Sequence, residues 1–179
     1  MSIYKDTNKN IGYIRTFKTG STTITGTFFS GDDTVLIMHP SETDYAETKL
    51  FSTVRNPYDR IESLLNMFLW YADQELTVKK VIDRLKSDVK VHTPEDTGWI
   101  KLHALPFTDP YFSINRAHRI FKLEDFDTQW GEICDFCGCD RVDMPKLNAG
   151  EHKVKLTQQD KDMVYEYYKT DFEVFGYGK

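Results

Sequence analysis

Short apolar runs alternate with longer amphipathic segments along this chain, and the alternation predicts strands and helices in turn. Apolar, β-branched runs at residues 11–17, 35–38, 50–54 and 118–123 predict strands. The run at 35–38 has no polar residue, a pattern typical of a parallel strand that is covered on both faces.

The intervening segments carry helix signals. Gly20-Ser21 opens a predicted helix to about residue 29, with Ser21 or Thr19 as the N-cap. Asn56-Pro57 is an N-cap followed by proline at the first helical position, and apolar residues then recur at helical spacing over about four turns. Further helices are predicted to begin near Ser41, over 78–85, over 125–136, and after a cap at 157–160.

Strands that alternate with helices predict an α/β domain around a mainly parallel central sheet flanked by helices. The 179 residues suit a single domain spanning 1–179. Residues 86–110 are mostly polar and contain three prolines, which predicts an irregular insertion. Insertions of this kind often select the substrate.

Composition narrows the possible partners. The formal net charge of −5 argues against general binding to nucleic acid. No apolar segment approaches membrane-spanning length, so we expect no membrane partner and a cytoplasmic location. Oligomeric state is left open.

Three cysteines, Cys134, Cys137 and Cys139, lie close together near the end of a predicted helix. An odd count in one patch does not indicate a disulfide framework. With His152 they could bind zinc, but no second pair of ligands follows, and reduced cysteines are the favoured interpretation.

Two segments carry the candidate chemistry, and each follows an apolar run and leads into a helix. Residues 15–23 supply Lys18, a glycine and several hydroxyls at a strand-to-helix turn, where main-chain N–H groups favour an anion. Residues 55–63 supply the guanidinium of Arg55 and the hydroxyl of Ser63. Two anion sites suit a ligand with two separated phosphates.

These segments resemble a known family. Residues 18–22 (KTGST) resemble the 5′-phosphosulfate loop of sulfotransferases, and residues 55–60 (RNPYDR) with Ser63 resemble their 3′-phosphate motif. Residues 121–126 and 168–177 are also similar to the carbohydrate branch, which includes the glycosaminoglycan 2-O-sulfotransferases. The chain resembles a small bacterial or phage version of these enzymes.

The resemblance implies a three-layer, P-loop NTPase-like fold and the donor 3′-phosphoadenosine 5′-phosphosulfate (PAPS), with no metal required. The product would be 3′,5′-adenosine bisphosphate, and the acceptor a hydroxyl or amine, most simply on a carbohydrate. The implied donor site comprises Arg15, Lys18, Thr19, Gly20, Ser21, Thr22, Thr23, Arg55, Ser63 and Lys153.

The resemblance also implies catalytic roles. Lys18 would donate to the leaving phosphate as negative charge develops there. The base is His39, the one histidine between the two motifs, or Glu42, since other branches use a glutamate. His39 and His103 would line the acceptor site.

Two other interpretations remain open. A P-loop-like nucleotide phosphotransferase would use similar anion sites, but the motif G-x-x-x-x-G-K-[ST] is absent because the lysine precedes the glycine here. A non-catalytic module that binds adenosine bisphosphate would share the donor site and lack turnover.

Overall fold

A computed structural model describes residues 1–72, 76–91, 93–96, 99–145 and 154–179. The chain divides into two compact units. The first contains Met1–Arg55 and Phe107–Asn148, and the second contains Asn56–Pro106 and Ala149–Lys179. That the whole chain acts as one domain stays a prediction.

A five-stranded sheet forms the centre of the first unit. Its strands, in the order β3-β1-β2-β4-β5, are β1 (Ser2–Asp6), β2 (Ile11–Ile14), β3 (Thr34–Met38), β4 (Lys49–Val54) and β5 (Arg119–Lys122). The helices of the described residues are α1 (Ser21–Phe28), α2 (Glu42–Tyr45), α3 (Pro57–Ala72), α4 (Val78–Lys86), α5 (Ile100–Ala104), α6 (Phe126–Phe136) and α7 (Gln158–Phe175). The α/β class is therefore confirmed.

The sheet is mixed, so the prediction of a mainly parallel sheet is wrong. Strand β1 runs antiparallel to both of its neighbours, β2 and β3, whereas the pairs β2–β4 and β4–β5 are parallel. The chain reverses after β1 in a tight turn, in which the Asp6 carboxylate accepts the main-chain N–H groups of Asn8 and Lys9. This hairpin makes β1 antiparallel to β2. The sequence-based prediction omitted it, because its first strand began at residue 11.

Alternate strand residues pack on opposite faces of the sheet. Tyr13 and Phe51 lie in one apolar cluster with Ile24 of α1 and Trp130 of α6. On the other face a smaller cluster contains Met1, Ile3, Ile14 and Leu50. Because side chains alternate along a strand, β2 and β4 contribute to both clusters and form the core of this unit.

Strand β3 differs from its sequence-based interpretation. It lies at an edge of the sheet, and Val35, Leu36 and Met38 are 43%, 48% and 49% exposed. The prediction that it is a covered parallel strand is wrong, because an all-apolar run gives the strand but not its position in the sheet.

Helices α3, α4, α5 and α7 belong to the second unit. The Asn56 side chain accepts the N–H of Tyr58 at 2.9 Å, which confirms the predicted start of α3. Arg60 of α3 is buried, and its guanidinium donates to the carbonyls of Leu105 (2.7 Å) and His103 (3.0 Å). The predicted cap of α7 is also present, since Thr157 and Asp160 form a capping box.

Candidate anion site at the end of strand β2

The loop between β2 and α1 has two residues in the left-handed region, Lys18 (φ 65°) and Gly20 (φ 74°). Gly20 is required for two reasons. Its positive φ is unfavourable for other residues, and an added Cβ would lie 2.8 Å from Cδ1 of Leu123. The chain therefore turns sharply at Gly20 and enters α1.

A buried network of hydroxyl groups holds this loop against the sheet. The Thr16 hydroxyl donates to the Thr53 carbonyl at 2.6 Å and lies 2.9 Å from the Thr19 hydroxyl. The Thr53 hydroxyl donates to that of Thr19 at 2.9 Å and lies 2.7 Å from the Tyr13 hydroxyl. The loop is thus tied to β2 and β4 by side chains that are fully enclosed.

The first turn of α1 has no side-chain cap. Gly20 occupies the N-cap position, so the prediction that Ser21 or Thr19 caps the helix is wrong. The Thr19 hydroxyl is instead part of the buried network. Ser21 and Thr23 are half-buried on the first turn and Thr22 is exposed. Helix N–H groups without a cap, together with the helix dipole, favour an anion at this end.

Lys18 is the most perturbed cation of the loop. Burial, reinforced by repulsion from Arg55, lowers the pKa of the Lys18 ammonium from 10.5 to about 8. Among the described residues its ammonium has no hydrogen-bond acceptor and no acidic partner. Arg55, which follows β4, donates from Nη1 to the Lys18 carbonyl at 3.4 Å. Two cations therefore converge where β2 and β4 end.

Arg15 lies just before the loop and is half-buried. Its guanidinium carbon lies 4.9 Å from the ring centroid of Phe17 and 5.9 Å from that of Tyr4. Its Nε is enclosed and has no hydrogen-bond partner within the described part of the chain. Arg15 thus packs against two aromatic rings immediately before the loop.

His39 comes directly after β3, at the same end of the strands as the loop that follows β2. Met38 pairs with Ser2, and Ile14 pairs with Ile3, so β2 and β3 end at nearly the same level on either side of β1. Two strand spacings separate them by about 10 Å. His39 is exposed, adopts a positive φ of 53°, and its N–H donates to the Met1 carbonyl at 3.0 Å.

Glu42 is held in an ion pair. Both oxygens of its carboxylate accept from the Arg116 guanidinium, with Arg116 Nη1 at 2.7 Å from Oε2. Arg116 in turn packs over the ring of Tyr45, 4.3 Å from its centroid. Both oxygens of the Glu42 carboxylate are therefore engaged by Arg116, whereas the ring of His39 is exposed.

The remaining predicted site residues lie elsewhere in the chain. Ser63 is half-buried on α3, in the second unit. His103 is on α5 in the same unit, where its Nδ1 lies 2.9 Å from the Trp99 carbonyl and its ring stacks on that of Trp99. Lys153 falls outside the described residues.

The cysteine patch belongs to the core of the first unit. Cys134 and Cys137 are buried among aromatic side chains, and burial raises the pKa of the Cys137 thiol to about 12. Across the described residues, no cluster of potential ligands suited to a metal ion is present. Nor does that part of the chain contain a helix long and apolar enough to span a membrane.

Comparisons with protein-family models, curated proteins and solved structures give no match to this chain. The resemblance to sulfotransferases therefore depends on the two segments themselves. The first segment forms a strand-to-helix loop, as its sequence predicts, and Lys18 has no acidic partner among the described residues. The hydroxyl network was missed, because Thr16 and Thr53 give no signal until the strand pairing is known.

Proposed function

We propose that this protein is a sulfotransferase that moves a sulfuryl group from PAPS to an acceptor hydroxyl or amine, with a carbohydrate as the expected acceptor. One observation carries the proposal. The Lys18 ammonium is partly removed from water beside Arg55 and the uncapped start of α1, and no acidic side chain among the described residues neutralises it. A dianionic ligand would supply the missing charge.

The proposed fold is a P-loop NTPase-like variant. Strand β2 leads through the loop into α1, and β4 lies parallel beside β2, so Arg55 emerges next to Lys18. Strand β1, which runs in the opposite direction, and β3 beyond it extend this parallel part on one side. The arrangement supports one phosphate at the N-terminus of α1 and a second near Arg55.

The proposed reaction is an in-line displacement at sulfur. The acceptor oxygen or nitrogen forms a bond to sulfur while the bond from sulfur to the bridging phosphate oxygen breaks. The electron pair of that bond goes to the 5′-phosphate, where Lys18 donates a hydrogen bond to the developing charge. The acceptor proton goes to the imidazole of His39, a side-chain type that can act as a general base.

The test begins with calorimetric titration of the intact chain with 3′,5′-adenosine bisphosphate, beside AMP and ATP with magnesium. We expect the bisphosphate to bind at micromolar concentration and AMP to bind much more weakly. Arg55→Ala should weaken the bisphosphate about tenfold or more, because it removes a charged hydrogen-bond donor. The matched control is Arg141→Ala, which removes an exposed guanidinium paired with Asp135.

Turnover is measured next, as bisphosphate released from PAPS in the presence of hydroxyl and amine acceptors, including neutral oligosaccharides. Lys18→Met should reduce turnover by about a hundredfold or more. Preferential binding of ATP with magnesium would replace the proposal with a phosphotransferase. Bisphosphate binding with no turnover on any acceptor would indicate a non-catalytic module, and binding of no nucleotide would overturn both.

A further inference from the structure

The outer edge of β3 is unprotected. Between Thr34 and Met38 it contains no charged residue and no proline, and three of its apolar side chains are more than 40% exposed. Edge strands usually carry charges, prolines or bulges that prevent pairing with another chain. The opposite edge follows that rule, since β5 contains Arg119, which pairs with Glu132, and Lys122.

The hydrogen bonds to β1 determine which main-chain groups of β3 face outward. The carbonyl of Asp33 accepts from the N–H of Thr7, and the N–H of His39 donates to the carbonyl of Met1. In an antiparallel pair hydrogen-bonded positions alternate, so positions 33, 35, 37 and 39 bond to β1. The N–H and C=O groups of Leu36 and Met38 therefore point away from the sheet.

We propose that this edge pairs with β3 of a second copy of the chain, antiparallel and around a two-fold axis at Leu36. In this register Leu36 pairs with the partner's Leu36, and Thr34 pairs with the partner's Met38. The outward N–H of Leu36 donates to the partner's Leu36 carbonyl, and the outward N–H of Met38 donates to the partner's Thr34 carbonyl. The exposed apolar side chains then lie against their counterparts, and the two sheets become continuous.

Charge favours the antiparallel direction. Asp32 and Asp33 precede β3, and His39 follows it. Antiparallel pairing centred on Leu36 sets position 39 opposite the partner's position 33, so the aspartates of the two copies lie at opposite ends of the paired strands. Parallel pairing would instead place the aspartates of the two copies side by side in a chain with a net charge of −5.

The interface is small, since each copy contributes five strand residues. Interfaces well below the standard size are weak, so we expect a dimer with a dissociation constant of about 10 μM or more. Sedimentation velocity on the full chain, from about 1 μM to 1 mM, covers this range. We expect the sedimentation coefficient of the parent to rise from the monomer value to the dimer value over these concentrations.

Two matched variants test the location of the interface. Leu36→Lys puts a charge at the centre of the proposed pairing and should leave the protein monomeric throughout. Ile120→Lys makes the same change on the other edge strand, where Ile120 is 36% exposed, and should dimerise like the parent. Both side chains are partly exposed, and circular dichroism verifies that both variants fold.

A third variant tests the register. Asp33→Lys removes the carboxylate opposite the partner's position 39 and should weaken dimerisation about tenfold without changing the strand. A parent that stays monomeric at every concentration would overturn the proposal. So would loss of the dimer in Ile120→Lys, or persistence of the dimer in Leu36→Lys.

Discussion

Replacement of Lys18 by methionine should stabilise the protein at neutral pH. Methionine keeps most of the aliphatic part of the side chain and removes the ammonium, which is the group that burial and Arg55 disfavour. A residue that exists to bind a ligand can reduce the stability of the free protein, so a stabilising effect would distinguish a functional lysine from a structural one.

The magnitude follows from the pKa of Lys18. A pKa lowered from 10.5 to about 8 corresponds to about 3 kcal/mol of destabilisation by the charged form. Because the side chain is only half-buried, solvent screening reduces this to about 1–2 kcal/mol.

The stabilisation expected from Lys18→Met depends on pH. Below pH 8 both the folded and the unfolded chain carry the proton on Lys18, and the full penalty is present. Between pH 8 and 10.5 the unfolded chain binds more protons at this site, so the parent gains stability as pH rises. The advantage of Lys18→Met should therefore be largest at pH 7 and should shrink toward zero near pH 10.5.

The measurement is urea unfolding of parent and variant at pH 7, 8.5 and 10, expressed as the difference in unfolding free energy. Other groups that titrate at alkaline pH are common to both proteins and cancel in that difference. A variant less stable than the parent at pH 7 would refute the reasoning, as would a difference that does not change between pH 7 and pH 10. Lys79→Met, at an exposed lysine paired with Asp83, serves as the control and should show no advantage at pH 7.

Three further predictions concern stability, and each is checked by urea unfolding at pH 7. Gly20→Ala should lower the free energy of unfolding by about 1–3 kcal/mol, because of the positive φ and the close Leu123 contact. Gly26→Ala in α1, which has open space around it, should raise the free energy of unfolding by about 0.5–1 kcal/mol. Equal effects of the two changes would contradict the geometry of the loop. Arg60→Met should cost about 3 kcal/mol or more, since the buried guanidinium donates to two carbonyls, and a loss below 1 kcal/mol would show that the site is open to water. Thr53→Val should cost about 1–3 kcal/mol by leaving hydroxyl partners unsatisfied, and a neutral result would mean that the network is dispensable.

Local signals in the sequence predicted most of the elements. The Asn56-Pro57 start of α3 and the Thr157 cap of α7 are confirmed, because capping depends on residues a few positions apart. The relative directions of the strands were not predictable in the same way. They depend on β1, which occupies the interior of the sheet although its sequence is only partly apolar. The exposure of β3 likewise depends on which strands pair, a property of distant parts of the chain.

The candidate site was predictable to the extent that it is local. The lysine, the glycine and the helix start lie within four residues, so the sequence indicated an anion-binding turn. The proximity of Arg55 required β2 and β4 to be neighbours, which the structure provides. The ion pair of Glu42 with Arg116, 74 residues further along the chain, could not be read from the sequence.

The loop between β2 and α1 combines features that lower the stability of the free protein with features that hold it in place. The positive φ of Lys18, a helix without a side-chain cap and the partial burial of the Lys18 ammonium without an acidic partner among the described residues all reduce the stability of the free protein. The buried hydroxyl network offsets these terms and keeps the loop in one conformation. An anion at this position would satisfy the free N–H groups and the Lys18 charge together. Thr22→Asp places a carboxylate in the first turn of α1, where it would take the place of the proposed anion. We therefore expect this variant to stabilise the free protein, because a negative charge is favourable at a helix N-terminus, and to abolish bisphosphate binding.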